Sequence, residues 1–463
     1  MNIRQILAQE LLDSRGNPTV EATVYLDRRI KASGMVPSGA STGRHEALEL
    51  RDNDPQRYLG QGVLQAVRNV NEVIGPALIG CDVTDLRGID RRMIELDGTE
   101  NKARLGANAI LAVSIACLRA GAQVREVPFY EYTAEVFGWP ADQPFVMPVP
   151  LINVLNGGKH ALGSSDFQEY MIVPVGAPSF AEATRWASEI FHRLKPLIQE
   201  RGWPTTVGDE GGFAPPVSSN EEPLQLILAA IEKAGCTPGD EVAIALDPAA
   251  SEFFQDGVYR LEKDGLELTS EEMVDLLVDW THRYPIVSIE DGLDQEDWDG
   301  FARLKHKTEN DVQIVGDDLF VTNPARVRIG AERDAANSVL IKANQIGTIT
   351  ETFGTINLAR EYGMTTIVSH RSGETELPFE ADFAVGTGTG QVKIGSISRS
   401  ERVAEYNELM RIERQLGSKA VLATFPFNPQ GGKLQASNSK SQTNSEHQIS
   451  MTETLPPIRR EPF

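Results

Sequence analysis

Polar and apolar positions alternate in two different rhythms along the chain. In the first part, a strand-like segment at Thr19–Leu26 precedes a turn-rich stretch, VPSGASTGRHEALELRD, that includes a short helical pattern at His45–Arg51. Helical periodicity follows at Gly62–Ile74 and, more strongly, at Gly106–Gly121. Strands first and helices afterwards predict a small α+β domain over residues 1–140. From 141 to 426 short apolar runs each end in a polar or charged residue: FQEYMIVP (167–174), VAIALD (242–247), IVSIED (286–291), VQIVGDD (312–318), SVLIKANQ (338–345), TTIVSHRS (365–372) and GQVKIGS (390–396). Segments of helical length, such as Ser270–Arg283 and Thr348–Tyr362, separate them. This alternation predicts a parallel sheet, and so many units suit a closed (β/α)8 barrel with its site where the strands end. Residues 427–463 are rich in Ser, Asn, Gln and Thr and poor in large apolar side chains. Such a stretch cannot offset its own ordering entropy and reads as a disordered tail.

Composition narrows the function. The 463 residues are 41% hydrophobic and 24% charged, a globular balance, and no apolar stretch reads as the roughly 20 residues a membrane span needs. No secretory pattern opens the chain, and Cys81, Cys117 and Cys236 form no CxxC pair. Both point to a protein of the cytoplasm. A formal net charge of -22 makes nucleic acid an unsuitable partner. A small anion can still bind such a protein where bound metal or a few placed cations gather.

The strand ends supply that chemistry. Asp247, Glu290 and Asp317 each follow an apolar run, and three converging carboxylates match the hard oxygen ligands that Mg²⁺ prefers. Each taken alone could equally cap a helix. Lys342 interrupts an apolar strand; burial beside a cation would lower its pKa and suit it to general-base work, unless it only pairs with a neighbouring carboxylate. Asp209 and Glu210 are paired in the glycine-rich TTVGDEGGFAP, with a further carboxylate, Glu169, in FQEYM. Paired carboxylates of this kind can keep one member protonated as a general acid, though a plain turn with exposed acids fits as well. His370, Arg371 and Ser372 offer imidazole, guanidinium and hydroxyl at one strand end, a phosphate grip, with Lys393 at the next. Ser38–Gly43 and Gly157–His160 are glycine-rich loops, either plain turns or lids. Gly386, Gly388 and Gly390 do not make a dinucleotide loop, because Gln391 stands where a further glycine belongs.

Long strings then identify a family resemblance. DSRGNPTVE, VPSGASTGRHEALELRD, MIELDGTENK, LGANAIL, GDEGGFAP, ALDPAASEF, SIEDGL, GDDLFVTN, IKANQIGT, SHRSGETE and RSERVAEYN resemble the enolase family from near Ile3 to about Leu416. The resemblance implies an α/β protein: an enolase-type C-terminal barrel, with unusual strand order at its start, behind a smaller N-terminal α+β domain. It implies phosphopyruvate hydratase activity, the Mg²⁺-dependent interconversion of 2-phosphoglycerate and phosphoenolpyruvate. Asp247, Glu290 and Asp317 would hold one Mg²⁺, and Ser41 would join a second that arrives with substrate. Lys342 would take the C2 proton, and Glu210, with Glu169 beside it, would protonate the departing C3 hydroxyl. Arg371 and Ser372 would hold phosphate, Lys393 the carboxylate, and His160 and His370 would complete the pocket. A homodimer or higher even oligomer is also implied.

The chain departs from the family pattern at Leu162, Leu377-Pro378, Thr387 and Ile394 without losing a proposed catalytic group. Two rival readings keep the scaffold: a relative acting on a modified phospho- or phosphono-carboxylate, and a surface-displayed binding protein.

Overall fold

The computed structural model describes residues 1–309 and 311–427, so the tail expected at 427–463 lies, apart from Phe427, outside the described residues. Gln5–Leu12, Pro18–Tyr25 and Lys31–Met35 form an antiparallel meander in that order. The helix Ala107–Arg125 packs on it, closely enough that a Cβ at Gly34 would meet the Ala112 carbonyl oxygen at 2.3 Å. Only glycine fits there. This helix is longer than the sequence suggested and apolar enough to cross a membrane, yet 83% of its most apolar window is buried inside the protein. It is a core helix, apolar on all sides because protein surrounds it.

Two local expectations change. Gly62–Ile74 is helical from Leu64 to Asn69 and then widens into a π-helical turn at Val70–Ile74. His45–Arg51 forms no helix. Its backbone bonds go elsewhere: Ala47 N–H donates to the Gln345 carbonyl and Leu48 N–H to that of Asn101, both at 2.8 Å. Tertiary partners outbid local helix propensity at this segment.

Eight strands close the barrel. Around the ring they are Val149–Asn156, Glu169–Val173, Ala243–Asp247, Ile286–Glu290, Gln313–Gly316, Ser338–Ile341, Thr365–Ser369 and Gln391–Lys393. All neighbours are parallel except Glu169–Val173, which runs antiparallel to both its partners. The all-parallel pattern read from the alternation therefore fails at this strand. A short connection, 157–168, turns the chain straight back, too short for the crossover helix a parallel neighbour requires. Two helices, Phe180–Glu200 and Glu222–Lys233, then precede the next strand. From there strand and helix alternate, including Ser270–Arg283, which starts with a Thr269–Glu272 capping box, and Ile349–Glu361.

One buried core runs from Ile3 in the first domain through the helical shell of the barrel to Ile412. A second fills the barrel itself with Val149, Leu151, Met171, Ala243, Ala245, Val287, Leu340 and Ile367, and Phe425 packs against it. Val421–Leu422 pairs with Val146–Met147, just before the first barrel strand, and so holds Phe425 at the end opposite the polar strand ends.

Candidate active site

The C-terminal ends of the strands meet around a small polar cavity. Its lining includes Ser41, His160, Glu169, Glu210, Asp247, Lys342, His370, Arg371, Ser372 and Lys393. Glu290 and Asp317 stand behind this lining, both buried. Strand pleating explains the arrangement, because the last residue of each parallel strand reaches one rim. Glu169 reaches the same rim by a different route: it is the first residue of the antiparallel strand, in register with Asp247. Glu210 comes from the loop between the two helices that follow, and its carboxylate accepts from Asn153 Nδ2 at 2.9 Å.

Charge is concentrated here. Lys393 Nζ donates to Asp247 Oδ2 and Glu290 Oε1, each at 2.8 Å, and lies 3.1 Å from Glu169 Oε1. Burial pulls the Lys393 ammonium down, but Asp247, Glu169 and Glu290 hold it well above its ordinary value. Lys342 Nζ bonds Asp317 Oδ2. Burial is the largest influence on Lys342 and acts downward, but the charges of Asp317 and then Glu290 together turn the net direction upward.

Glu169 and Glu210 behave as an unequal pair. With His160 they place one ligand atom each within 4.8 Å of one another. Burial and then the Glu210 charge push Glu169 well above the usual carboxylate range. Burial acts the same way on Glu210, but His160, His370, Arg402 and Lys393 together hold it well below. The two carboxyls are thus pushed in opposite directions as a pair, and the partner of Glu210 is Glu169 rather than the adjacent Asp209. His370 Nδ1 takes a hydrogen bond from Arg402 Nη1 at 2.5 Å. Arginine only donates, so the ring proton sits on Nε2, 3.4 Å from Glu210 Oε1. Burial lowers both His370 and His160 and keeps them neutral.

The donor set fits a divalent cation. Among the described residues, Glu290 Oε2 and Glu169 Oε2 are buried without a hydrogen-bond partner. Burial and the Asp247 charge push Glu290 well above its ordinary range, the mark of a carboxylate short of positive charge. The three expected ligands are not drawn to one point, however. Asp247 and Glu290 gather on Lys393, whereas Asp317 forms a trio with Asp291 and Asp318.

Comparison with known families resolves the identity of this barrel. Residues 3–133 match the model described as "Enolase, N-terminal domain", and residues 144–429 match "Enolase, C-terminal TIM barrel domain". The chain belongs to the enolase family. Enolase-family membership brings a lyase-type chemistry that uses a divalent metal, and it accounts for carboxylates at three strand ends.

Several residues of this enolase-family site were not singled out in the sequence. Arg402, fully buried in the helix Ser400–Leu416, donates to the carbonyls of Arg371 and Ser372 at 2.7 Å as well as to His370. Asp291 accepts the backbone N–H groups of Asp317 and Asp318 at 3.0 and 2.7 Å. Asn153, Glu46 and Gln345 complete the group. Arg402, Glu46 and Gln345 sit inside the matched strings RSERVAEYN, GRHEALELRD and IKANQIGT, the only signal that pointed to them. None of the departing residues lines the cavity: Leu162 is 93% exposed, Ile394 is core, and Thr387 ends the helix Phe379–Thr387.

Proposed function

We propose that this chain is a phosphopyruvate hydratase, interconverting 2-phosphoglycerate and phosphoenolpyruvate. The observation that carries the reading is that one small polar cavity holds a lysine, two neighbouring carboxyls pushed in opposite directions and a buried guanidinium. Removing a proton next to a carboxylate and expelling a β-hydroxyl needs a base, an acid and strong positive charge in one place. Lys342 is the group assigned to the C2 proton. The Glu169–Glu210 dyad is assigned to the departing C3 hydroxyl, with His160 and His370 beside it. Arg371 and Ser372 receive the phosphoryl group, and Lys393 the substrate carboxylate.

Mg²⁺ held by Asp247, Glu290 and Asp317, and a second ion joined by Ser41, would supply charge to the carboxylate and phosphoryl oxygens. Pairing a lysine base with magnesium is the worked pattern for enolase-superfamily sites. The placement of Leu162, Thr387 and Ile394 outside the cavity supports 2-phosphoglycerate over a modified substrate. The free thiols of Cys81, Cys117 and Cys236 accord with a cytoplasmic enzyme, and a homodimer is the expected assembly.

The test is ultraviolet absorbance with 2-phosphoglycerate, first with Mg²⁺ and then with a chelator. A rise that needs Mg²⁺ supports the reading. Folded, metal-loaded protein that gives no rise overturns it in favour of a modified phospho-carboxylate.

A further inference from the structure

Every Nη hydrogen of Arg371 already has an acceptor. Nη1 donates to Glu46 Oε2 at 3.0 Å and to Asn344 Oδ1 at 3.1 Å; Nη2 donates to the Ser41 carbonyl at 3.0 Å and to Glu46 Oε1 at 3.2 Å. The guanidinium is buried, and the glycine-rich loop lies flat against it. A Cβ at Gly39 would fall 1.9 Å from Nη2.

Glu46 has a second set of partners. Its Oε1 also accepts from Gly43 N–H at 3.0 Å and from Gln345 Nε2 at 3.4 Å. Gln345 in turn donates to Asp317 Oδ1 at 2.8 Å. One carboxylate therefore joins the loop, the arginine and, through Gln345, a strand-end aspartate. The root of the loop is fixed separately, since Ser38 and Gly373 exchange backbone hydrogen bonds at 2.8 and 2.9 Å.

A phosphoryl group that reaches Arg371 must replace acceptors already in place. Asn344 and the Ser41 carbonyl are neutral dipoles. Glu46 is the one charged acceptor, of the same sign as the phosphoryl oxygens, so in this low-dielectric position repulsion falls on it. A guanidinium fork fits carboxylate and phosphate alike, which makes the exchange one anion for another.

We propose that Glu46 is an anion-exchange residue. Its carboxylate occupies the Arg371 fork that a dianionic phosphoryl group takes over, and its displacement frees the loop at Gly43 to move over the bound anion. This rests on the phosphoryl role given to Arg371 above. The exchange also sets specificity, because an entering group has to bring more charge than the carboxylate it displaces. A phosphoryl dianion qualifies and a second carboxylate does not.

The probe is inorganic phosphate, titrated calorimetrically into the full chain with Mg²⁺ present. Glu46→Gln keeps an acceptor for Gly43 but removes the competing charge, so phosphate should bind about tenfold more tightly than to wild type. Without phosphate the variant's Tm should fall, because Arg371 has lost its counter-charge; phosphate should restore it by a larger shift than in wild type. Glu46→Asp, which shortens the carboxylate's reach, should give a smaller gain in the same direction and serves if the glutamine variant does not fold. Phosphate affinity that is unchanged or weaker in both variants overturns the proposal, as does absence of phosphate binding in all three proteins. The expected gain together with no turnover of 2-phosphoglycerate upholds the exchange and overturns only the hydratase reading.

Discussion

Glu169 and Asp247 are register partners on adjacent antiparallel strands, the first residue of one beside the last residue of the other. Lys393 Nζ lies 3.1 Å from the first and 2.8 Å from the second. The reversed strand is what brings a carboxyl pushed well above its ordinary range against a carboxylate expected to bind metal.

Removing the proposed base should silence the chemistry without unfolding the barrel. Lys342→Ala is expected to lower turnover of 2-phosphoglycerate by about a thousandfold, in the range usual for loss of a general base. Circular dichroism should remain native. Activity within tenfold of wild type would exclude Lys342 from the proton transfer.

Metal should stabilise as well as activate. Glu290 is buried and short of positive charge, so Mg²⁺ at about a hundred times its Kd should add about 3 kcal/mol to unfolding stability, lost on chelation. Scanning calorimetry with Mg²⁺ and with chelator measures this, and Asp317→Asn should shrink the difference. An equal Tm in both buffers would rule out a site linked to folding.

Stability should fall as pH rises from about 5 to about 8 through a carboxyl outside the cavity. Burial pushes Glu405 up to about 8 although a hydrogen bond from Glu380 opposes it, and burial with the Glu405 charge pushes Glu380 well above its ordinary range. Glu374, Asp382 and Arg402 are the other charged groups that act on the pair. The sign is the reverse of a salt-bridged acid. Between the ordinary carboxylate pKa and the raised one, the folded protein binds more protons than the unfolded chain, so each such proton costs ~1.4 kcal/mol of stability per pH unit gained. Glu405→Gln stays neutral throughout and should flatten the slope in urea titrations at a series of pH values. A slope unchanged in this variant would place the dependence elsewhere.

Phe425 should matter to stability and little to catalysis. It is 3% exposed, packs against the residues that fill the barrel, and lies at the end away from the cavity. Phe425→Ala should cost about 3–5 kcal/mol in denaturant unfolding while kcat under native conditions stays near wild type. A large loss of kcat with unaltered stability would contradict this division between the two ends of the barrel.

The barrel and much of its rim were legible in the linear chain, for a physical reason. A parallel strand buried on both faces must be apolar, so a polar residue where the run stops is conspicuous. That rule found Asp247, Glu290, Asp317, Lys342, His370 and Lys393. Their roles were another matter, since a pKa depends on charges from distant segments. Asp317 and Glu290 together turn Lys342 upward, and two histidines, an arginine and a lysine from four segments hold Glu210 down while burial and the Glu210 charge push Glu169 up. Periodicity missed the reversed strand at Glu169–Val173 and the reach of Glu210 into the cavity from between two helices, which only the family resemblance had implied, and tertiary structure decided the loss of helix at His45–Arg51. It alone brought Glu46 and Arg402 to Arg371 and His370, across 325 and 32 residues of chain. Periodicity reports which face of an element is buried; it carries nothing about what another element sets against that face.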